Sequence, residues 1–259
     1  VTSTGSVQCW GGNNKGQLGD GTTSQSYLPV TAVGLEANVS AVVAGVYHTC
    51  ALTTTGGVLC WGDNEWGQLG NNTQVDHAIP VSVAGLPGSV TALIAGDYHT
   101  CALLSTGAVH CWGGNHYGQL GNGTQTTQPL PVTVNTLGVR VTAMTAGNLH
   151  TCAILTTGGL LCRGANAEGQ LGDGSTDNRL GPVAVVGLSA NVVAVAGGGS
   201  HTCALQSISG VAQAFCWGAN WHGALGDGTL NNHVTPVAVV GLKPGVTALA
   251  AGGSQPGGH

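Results

Sequence analysis

Ala44-Gly45-Val46-Tyr47-His48-Thr49-Cys50-Ala51-Leu52, followed by Gly57-Val58-Leu59-Cys60-Trp61-Gly62-Asp63-Asn64-Glu65-Trp66-Gly67-Gln68-Leu69-Gly70, is the stretch that decides the fold. It returns down the chain. The His-Thr-Cys-Ala-Leu segment recurs at His99, at His150 (with Ile154 in place of Leu) and at His201, each 51 residues after the last. Cys-Trp-Gly stands at Cys9, Cys60, Cys111 and Cys216, with Cys162-Arg163-Gly164 as a variant. Gly-Gln-Leu-Gly begins at Gly16, Gly67, Gly118 and Gly169 and becomes Gly223-Ala224-Leu225-Gly226 in the last copy. Prolines close the units at Pro29, Pro80, Pro131, Pro182 and Pro236. A fixed period near 50 residues is the mark of a repeat architecture, so the period is read before any local structure.

Within one unit, Val39 to Ala44 reads as a strand, Tyr47 to Thr53 as a second, Val58 to Trp61 as a third, and Val81 to Val83 as a short fourth after an edge-compatible Pro80. Four short strands per repeat point to an all-β propeller of four-stranded blades. The approximate units are 1–37 (partial), 38–88, 89–138, 139–189, 190–244 and 245–259 (partial), in a single repeat domain over 1–259. Composition agrees. Gly supplies 46 of 259 residues, charged residues 6% and Met one, which leaves little material for helices. Asp20-Gly21, Asn71-Asn72, Asn122-Gly123, Asp173-Gly174 and Asp227-Gly228 share one position and suit a turn with positive φ. Asp and Asn interchange there, so a turn is preferred to a calcium or catalytic role.

The run Ala-Gly-x-x-His-Thr-Cys-Ala-Leu, then Gly-x-x-Cys-Trp-Gly-x-Asn-x-x-Gly-Gln-Leu-Gly, resembles the repeat of the regulator of chromosome condensation family over almost the whole chain. The resemblance implies a propeller, typically of seven blades. About five unit equivalents of roughly 51 residues are present, so the expectation is a segment of a seven-bladed or longer array, with a five-bladed ring as the alternative. Val1 opens the chain inside a hairpin with no secretory leader, which reads as a mature product or an excised segment. Val246 to Gly253 repeats the first strand of a blade, after which Ser254-Gln255-Pro256-Gly257-Gly258-His259 replaces the expected second strand.

Cys50 and Cys60, Cys101 and Cys111, and Cys152 and Cys162 each flank nine residues with a turn at their centre, and Cys203 and Cys216 flank a loop longer by three. On a hairpin these positions oppose one another within disulfide reach. Each bridge contributes roughly 2 to 3 kcal/mol on the chain-entropy estimate. Four pairs point to an oxidising compartment, hence a secreted or cell-surface protein. The rival is a zinc site of His48, Cys50 and Cys60, though no Cys-x-x-Cys knuckle supports it. The repeated His48, His99, His150 and His201 read as buried hydrogen-bonding residues. Cys9 has no partner in this scheme.

Five Lys plus Arg against ten Asp plus Glu, a net charge of -5 with no basic run, argue against a nucleic-acid surface. No apolar run is long enough to span a membrane as a helix. Neither a nucleophile-base constellation nor a phosphate loop is recognisable, so the chain reads as a non-enzyme with no catalytic residue, cofactor or metal. Binding is sought where the copies differ: Asn14-Lys15, Glu65-Trp66, His116-Tyr117, Ala167-Glu168 and Trp221-His222. Rotated copies place these pairs in an arc, and Glu65, Trp66, His116, Tyr117, Trp221 and His222 are the candidate contacts for a protein or glycan. Cover for neighbouring blades is the plainer role for the same side chains. A second variable pair, Val46-Tyr47, Asp97-Tyr98, Asn148-Leu149 and Gly199-Ser200, precedes each repeated His. Plant ultraviolet-B photoreceptors resemble this family and place a Trp cluster on such loops; no Trp stands there here, so photoreception is not implied. Self-association through open terminal blade edges, up to a head-to-tail filament, is a further expectation. The family name itself implies an alternative, intracellular role in guanine-nucleotide exchange or chromatin binding. Asn38, Asn71 and Asn122 head glycosylation sequons, a weak signal in so Asn- and Thr-rich a chain.

Overall fold

The computed structural model describes residues 1–134, 138–243 and 245–252, and among them it contains strands and no helix. The chain forms two compact units, Val1–Asn115 with Thr126–Thr133, and His116–Gln125 with Val134–His259. In the first unit, β1 (Gln8–Gly11) and β2 (Ser26–Thr31) form a two-stranded sheet. Two four-stranded antiparallel meanders follow: β3 (Val39–Ala44), β4 (His48–Thr53), β5 (Val58–Gly62) and β6 (His77–Ser82), then β7 (Val90–Ala95), β8 (His99–Leu104), β9 (Val109–Gly113) and β10 (Gln128–Thr133). The second unit holds two more: β11 (Val141–Ala146), β12 (His150–Leu155), β13 (Leu160–Gly164) and β14 (Arg179–Ala184), then β15 (Val192–Gly197), β16 (His201–Ile208), β17 (Val211–Gly218) and β18 (His233–Ala238). These are blade sheets of the all-β kind that the repeat implies.

Two details differ from the sequence reading. The fourth strand starts before its proline rather than after it, as in His77–Ser82 with Pro80 inside. Pro80 is tolerated because β6 is the outer edge of its sheet, and the ladder to β5 shifts register between Cys60 and Gly62. The expected strand at 246–253 is not formed over 246–252. Elsewhere that first strand is held by its ladder to the His-Thr-Cys strand; here the following segment is Ser254–His259, which with Gly253 lies outside the described residues.

The inner strands are buried on both faces. In β4, His48, Cys50 and Leu52 alternate with Thr49 and Ala51, so each set meets a different neighbour. Cys50, Leu52, Val58, Cys60 and Leu69 form one core with Val90, Leu93, Ala102, Leu104 and Trp112 of the next sheet. Ala51 and Trp61 pack the opposite way, with Val7, Ala32 and Leu35. In the second unit Cys152, Ile154, Leu160, Cys162 and Leu171 meet Val192, Ala204 and Trp217 in the same manner. Disulfides join Cys50 to Cys60, Cys101 to Cys111, Cys152 to Cys162 and Cys203 to Cys216, each pair directly opposed with Cα atoms 4.1 Å apart. The thiols of the rival zinc site are therefore consumed in the bridge.

A single backbone oxygen ties one sheet to the next. The carbonyl of Gln68, on the loop after β5, accepts from Trp112 Nε1 at 2.9 Å and from Thr100 Oγ1 at 3.1 Å. Trp61 and Thr49 do the same to Gln17, and Trp217 and Thr202 to Gln170, all at 2.9 Å. Because the Thr100 hydroxyl spends its proton on Gln68, it accepts from His48 Nε2 at 3.0 Å, which puts the imidazole proton on Nε2; His150 meets Thr202 likewise at 2.9 Å. Close approach is needed throughout. A Cβ on Gly70 would stand 2.8 Å from Trp112 Nε1, and one on Gly45 would overlap the His48 ring.

Arg163 occupies the Trp position of the third full sheet and is fully buried. Its Nε donates to the Gln119 carbonyl at 3.1 Å, so a guanidinium replaces an indole N–H at the same acceptor. Burial pulls its pKa down to about 9, a sign that the charge is held at a cost. Arg163→Trp keeps a donor and restores aromatic packing, so it is expected to stabilise the protein by about 1 kcal/mol or more. Urea unfolding at pH 7.5 checks this, and a destabilised variant contradicts it.

The same latch sets acid stability. His48 and His150 are pulled by burial to about 4 and about 3, below the ordinary 6.5, and Nδ1 of each has no hydrogen-bond partner. Protonation would bury a charge beside no acceptor, whereas the unfolded chain takes the proton freely. Stability from each is thus complete above pH 6.5 and lost as pH falls toward 4, by about 3 kcal/mol per histidine at the end of that window. Unfolding free energies at intervals between pH 7.5 and 4.5 should decline below 6.5; a flat profile would contradict the assignment.

Candidate functional site

The loop that carries each variable pair is built around one buried Asn. Asn64 Oδ1 accepts from Leu69 N at 3.0 Å, while Nδ2 donates to the Thr73 and Val75 carbonyls, both at 3.0 Å, and to Asn71 Oδ1 at 3.2 Å. Asn13 and Asn166 make equivalent sets, and Asn220 makes the same bonds to Leu225 N and to the Thr229 carbonyl. The turn residue closes the loop: Asp20, Asn71, Asn122, Asp173 and Asp227 each accept from the backbone N–H and hydroxyl of the Thr or Ser two residues on. Carboxylate and amide oxygens serve equally, which is why Asp and Asn exchange. Where the residue is Asp227, the Thr229 backbone bond is the first cause that holds its pKa at about 2.

A second framework residue grips the variable pair itself. Gln17, Gln68, Gln119 and Gln170 each use Oε1 to accept the backbone N–H of the pair's second member, Lys15, Trp66, Tyr117 and Glu168, at 2.9 to 3.0 Å. Ala224 cannot do this, so Trp221-His222 lacks that tie. The first four pairs therefore ride on loops whose backbone this bond fixes, and their side chains carry the variation.

Those side chains divide into two groups. Lys15 and Glu168 reach the loop of the following sheet, to Asp76 Oδ2 at 3.1 Å and to Asn232 Nδ2 at 2.6 Å. These two side chains thus bridge from one loop to the next. Glu65, His116 and His222 are exposed, as are Tyr117 at 39% and Trp221 at 54%, with Trp66 half-buried. In the first unit Glu65-Trp66 has company, since the space above Gly114 is flanked by Cβ of Trp66 and Cβ of Tyr98. In the second unit Tyr117 and Trp221 stand on separate loops, two repeats apart.

Some functional chemistry escaped the sequence reading. Asp63 stands where the other copies have Gly12, Gly114, Ala165 and Ala219, and its side chain is 4% exposed. Its Oδ2 accepts from Gln68 Nε2 at 2.5 Å and its Oδ1 lies 2.8 Å from Lys15 Nζ. The hydrogen bonds to Asp63 and Asp76 push the Lys15 pKa up, so that cation is fully committed. The one available signal was a carboxylate at a small-residue position.

Cys9 is the free thiol among the described residues, and burial pushes its pKa up, which keeps it protonated and a poor nucleophile. It lines a groove of about 530 Å³ with Gln8, Trp10, Val46, Tyr47 and Thr49, between β1 and the inner edge of the next sheet. Among the described residues no three or more His, Cys, Asp or Glu side chains are grouped to hold a metal ion, and no helix is long and apolar enough to cross a membrane.

The RCC1-like domain family model matches residues 1–255. The ultraviolet-B receptor UVR8 of Arabidopsis thaliana is 34% identical over 232 residues, which cover 88% of this chain and 52% of the receptor. Human WBSCR16 superposes with a TM-score of 0.81 at 25% identity, over 93% of this chain and 63% of its own. Yeast RCC1 (Prp20), solved bound to Kap60, gives 0.82 at 24% identity, over 95% and 60%. The chain spans about half the length of the receptor and under two thirds of either structure.

Proposed function

Because the chain belongs to the RCC1-like domain family, we propose that it serves as a non-catalytic β-propeller module that binds a protein through the variable pairs of its Asn/Gln-braced loops. The observation that carries this reading is the contrast within each loop. The Gln bond fixes the same backbone N–H in four successive copies while the side chain at that position changes from Lys15 to Trp66, Tyr117 and Glu168, and Trp221 stands exposed one position earlier on the loop that Ala224 leaves without this bond. Rigid aromatic side chains on an ordered backbone give contact area at little entropic cost, which suits a recognition surface. The yeast relative, solved on Kap60, is an example of such a domain engaging a protein.

Four bridged hairpins support placing the protein in an oxidising setting, secreted or on a cell surface. They weigh against the intracellular alternative of nucleotide exchange or chromatin binding, as does a content of five Lys and Arg. Self-association is a second reading, and it draws on the edge of β1 that β2 leaves unpaired and on exposed Trp10, Tyr27 and Leu28 nearby.

Tyr117→Ala and Trp221→Ala are each expected to weaken an extracellular protein partner about tenfold or more, with thermal midpoints within about 2 °C of the parent. Photo-crosslinkers placed at 117 and 221 identify that partner, and surface plasmon resonance on the purified pair gives the affinities. Crosslinking confined to β1 and β2, into a second copy of the chain, would replace this reading with self-association.

A further inference from the structure

Asp97 has no counterpart in the other copies, where Val46, Asn148 and Gly199 hold its place. Its carboxylate is half-buried and makes no hydrogen bond or ion pair among the described residues, and burial pushes it up to about 6. Tyr98 follows it, and the Tyr98 phenol is itself pushed up, first by burial and then by the Asp97 carboxylate. Backbone bonds set these loops side by side in the first unit: Val46 N donates to the Asp97 carbonyl at 3.4 Å, Asp63 N to the Tyr47 carbonyl at 2.8 Å and Gly114 N to the Tyr98 carbonyl at 2.7 Å. Tyr47 is 39% exposed, and Trp66 flanks Tyr98 across Gly114. Lys15 is the cation at this place, and it is already held by Asp63 and Asp76.

The chemistry is thus a half-buried carboxylate without a counter-charge, on loops that also carry Tyr47, Tyr98 and Glu65-Trp66. A half-desolvated carboxylate gains most from a charge-assisted hydrogen bond, and ring faces attract the same ligand through their quadrupole. A planar guanidinium satisfies both at once, by pairing with oxygen and stacking on an aromatic face. We infer that Asp97, Tyr47, Tyr98 and Glu65-Trp66 form a docking site for an arginine side chain of a protein partner. This deepens the protein-binding reading above and rests on it, since it names the partner's chemistry at one unit's loops.

The test is calorimetric titration of the full chain with a (Gly-Arg)4 peptide in about 50 mM salt, with (Gly-Glu)4 as the opposite-charge probe. Asp97→Asn should weaken (Gly-Arg)4 about tenfold, the loss of one charge-assisted bond. Tyr47→Ala, which leaves the carboxylate in place, should weaken it severalfold. Glu36→Gln removes an equal charge from an exposed site elsewhere in the same unit and should leave binding unchanged. Circular dichroism verifies that each variant is folded. Equal effects of Asp97→Asn and Glu36→Gln, no effect of Asp97→Asn, or binding of (Gly-Glu)4 with similar strength would each overturn the assignment. The protein-binding reading is judged separately, on crosslinking at 117 and 221 in the other unit, so the two fail independently.

Discussion

The Gln68 carbonyl oxygen, with an indole N–H and a threonine hydroxyl of the next sheet both aimed at it, is the constraint on which the rest of the structure depends. A backbone acceptor buried between sheets must be paired, and here both of its lone pairs are used. Since the acceptor is main chain, the residue that carries it is free to change as long as the loop keeps its path. The donor side is less free. Trp112, Trp217 and even Arg163 deliver an N–H to one point, and the glycine two residues after each acceptor leaves space for them. The His48 to Thr100 bond extends the link, so that hydrophobic packing, the disulfide and the polar latch all occupy the same sheet-to-sheet contact.

From that constraint follows the division between framework and variable positions. The latch holds the Gly-Gln-Leu-Gly loop by its carbonyl, the buried Asn holds it by its amide, and the Gln side chain holds the variable pair by its backbone. What remains free to vary are a few side chains per loop. Some, such as Lys15 and Glu168, return to the framework as bridges between loops. Others, Tyr117 and Trp221, are exposed on their loops, and the Asp97 carboxylate is half-buried without a counter-charge.

The fold was legible because periodicity exposes whatever every copy needs. Cys101 opposite Cys111, the buried His150 and the strand at Val141–Ala146 all recur in register, and recurrence turned weak local signals into a firm architecture. Contacts made once per chain carry no such signal. The bond from Lys15 to Asp63 joins two positions that vary independently, and nothing in either segment announces the other. Arg163 read as a lapse in the Cys-Trp-Gly motif because a motif records residue names, while the Gln119 carbonyl asks only for a donor at the right height. The start of the fourth strand was placed too late because Pro80 was taken as a strand boundary, although an edge strand accommodates it. At the candidate site, sequence comparison among the copies found the variable pairs but could not say which of them reach a neighbour and which face outward.

The double-acceptor latch is tested most directly by the unfolding free energy of Thr100→Val, which keeps the shape of the side chain and removes only the hydroxyl. The substitution leaves His48 Nε2 and half of the Gln68 carbonyl unpaired in a buried contact, and the account predicts a loss of about 1 to 3 kcal/mol. The loss should shrink when His48→Ala is present, because one of the orphaned groups is then absent. Unchanged stability in Thr100→Val, with disulfides intact, would contradict the claim that this oxygen joins the sheets.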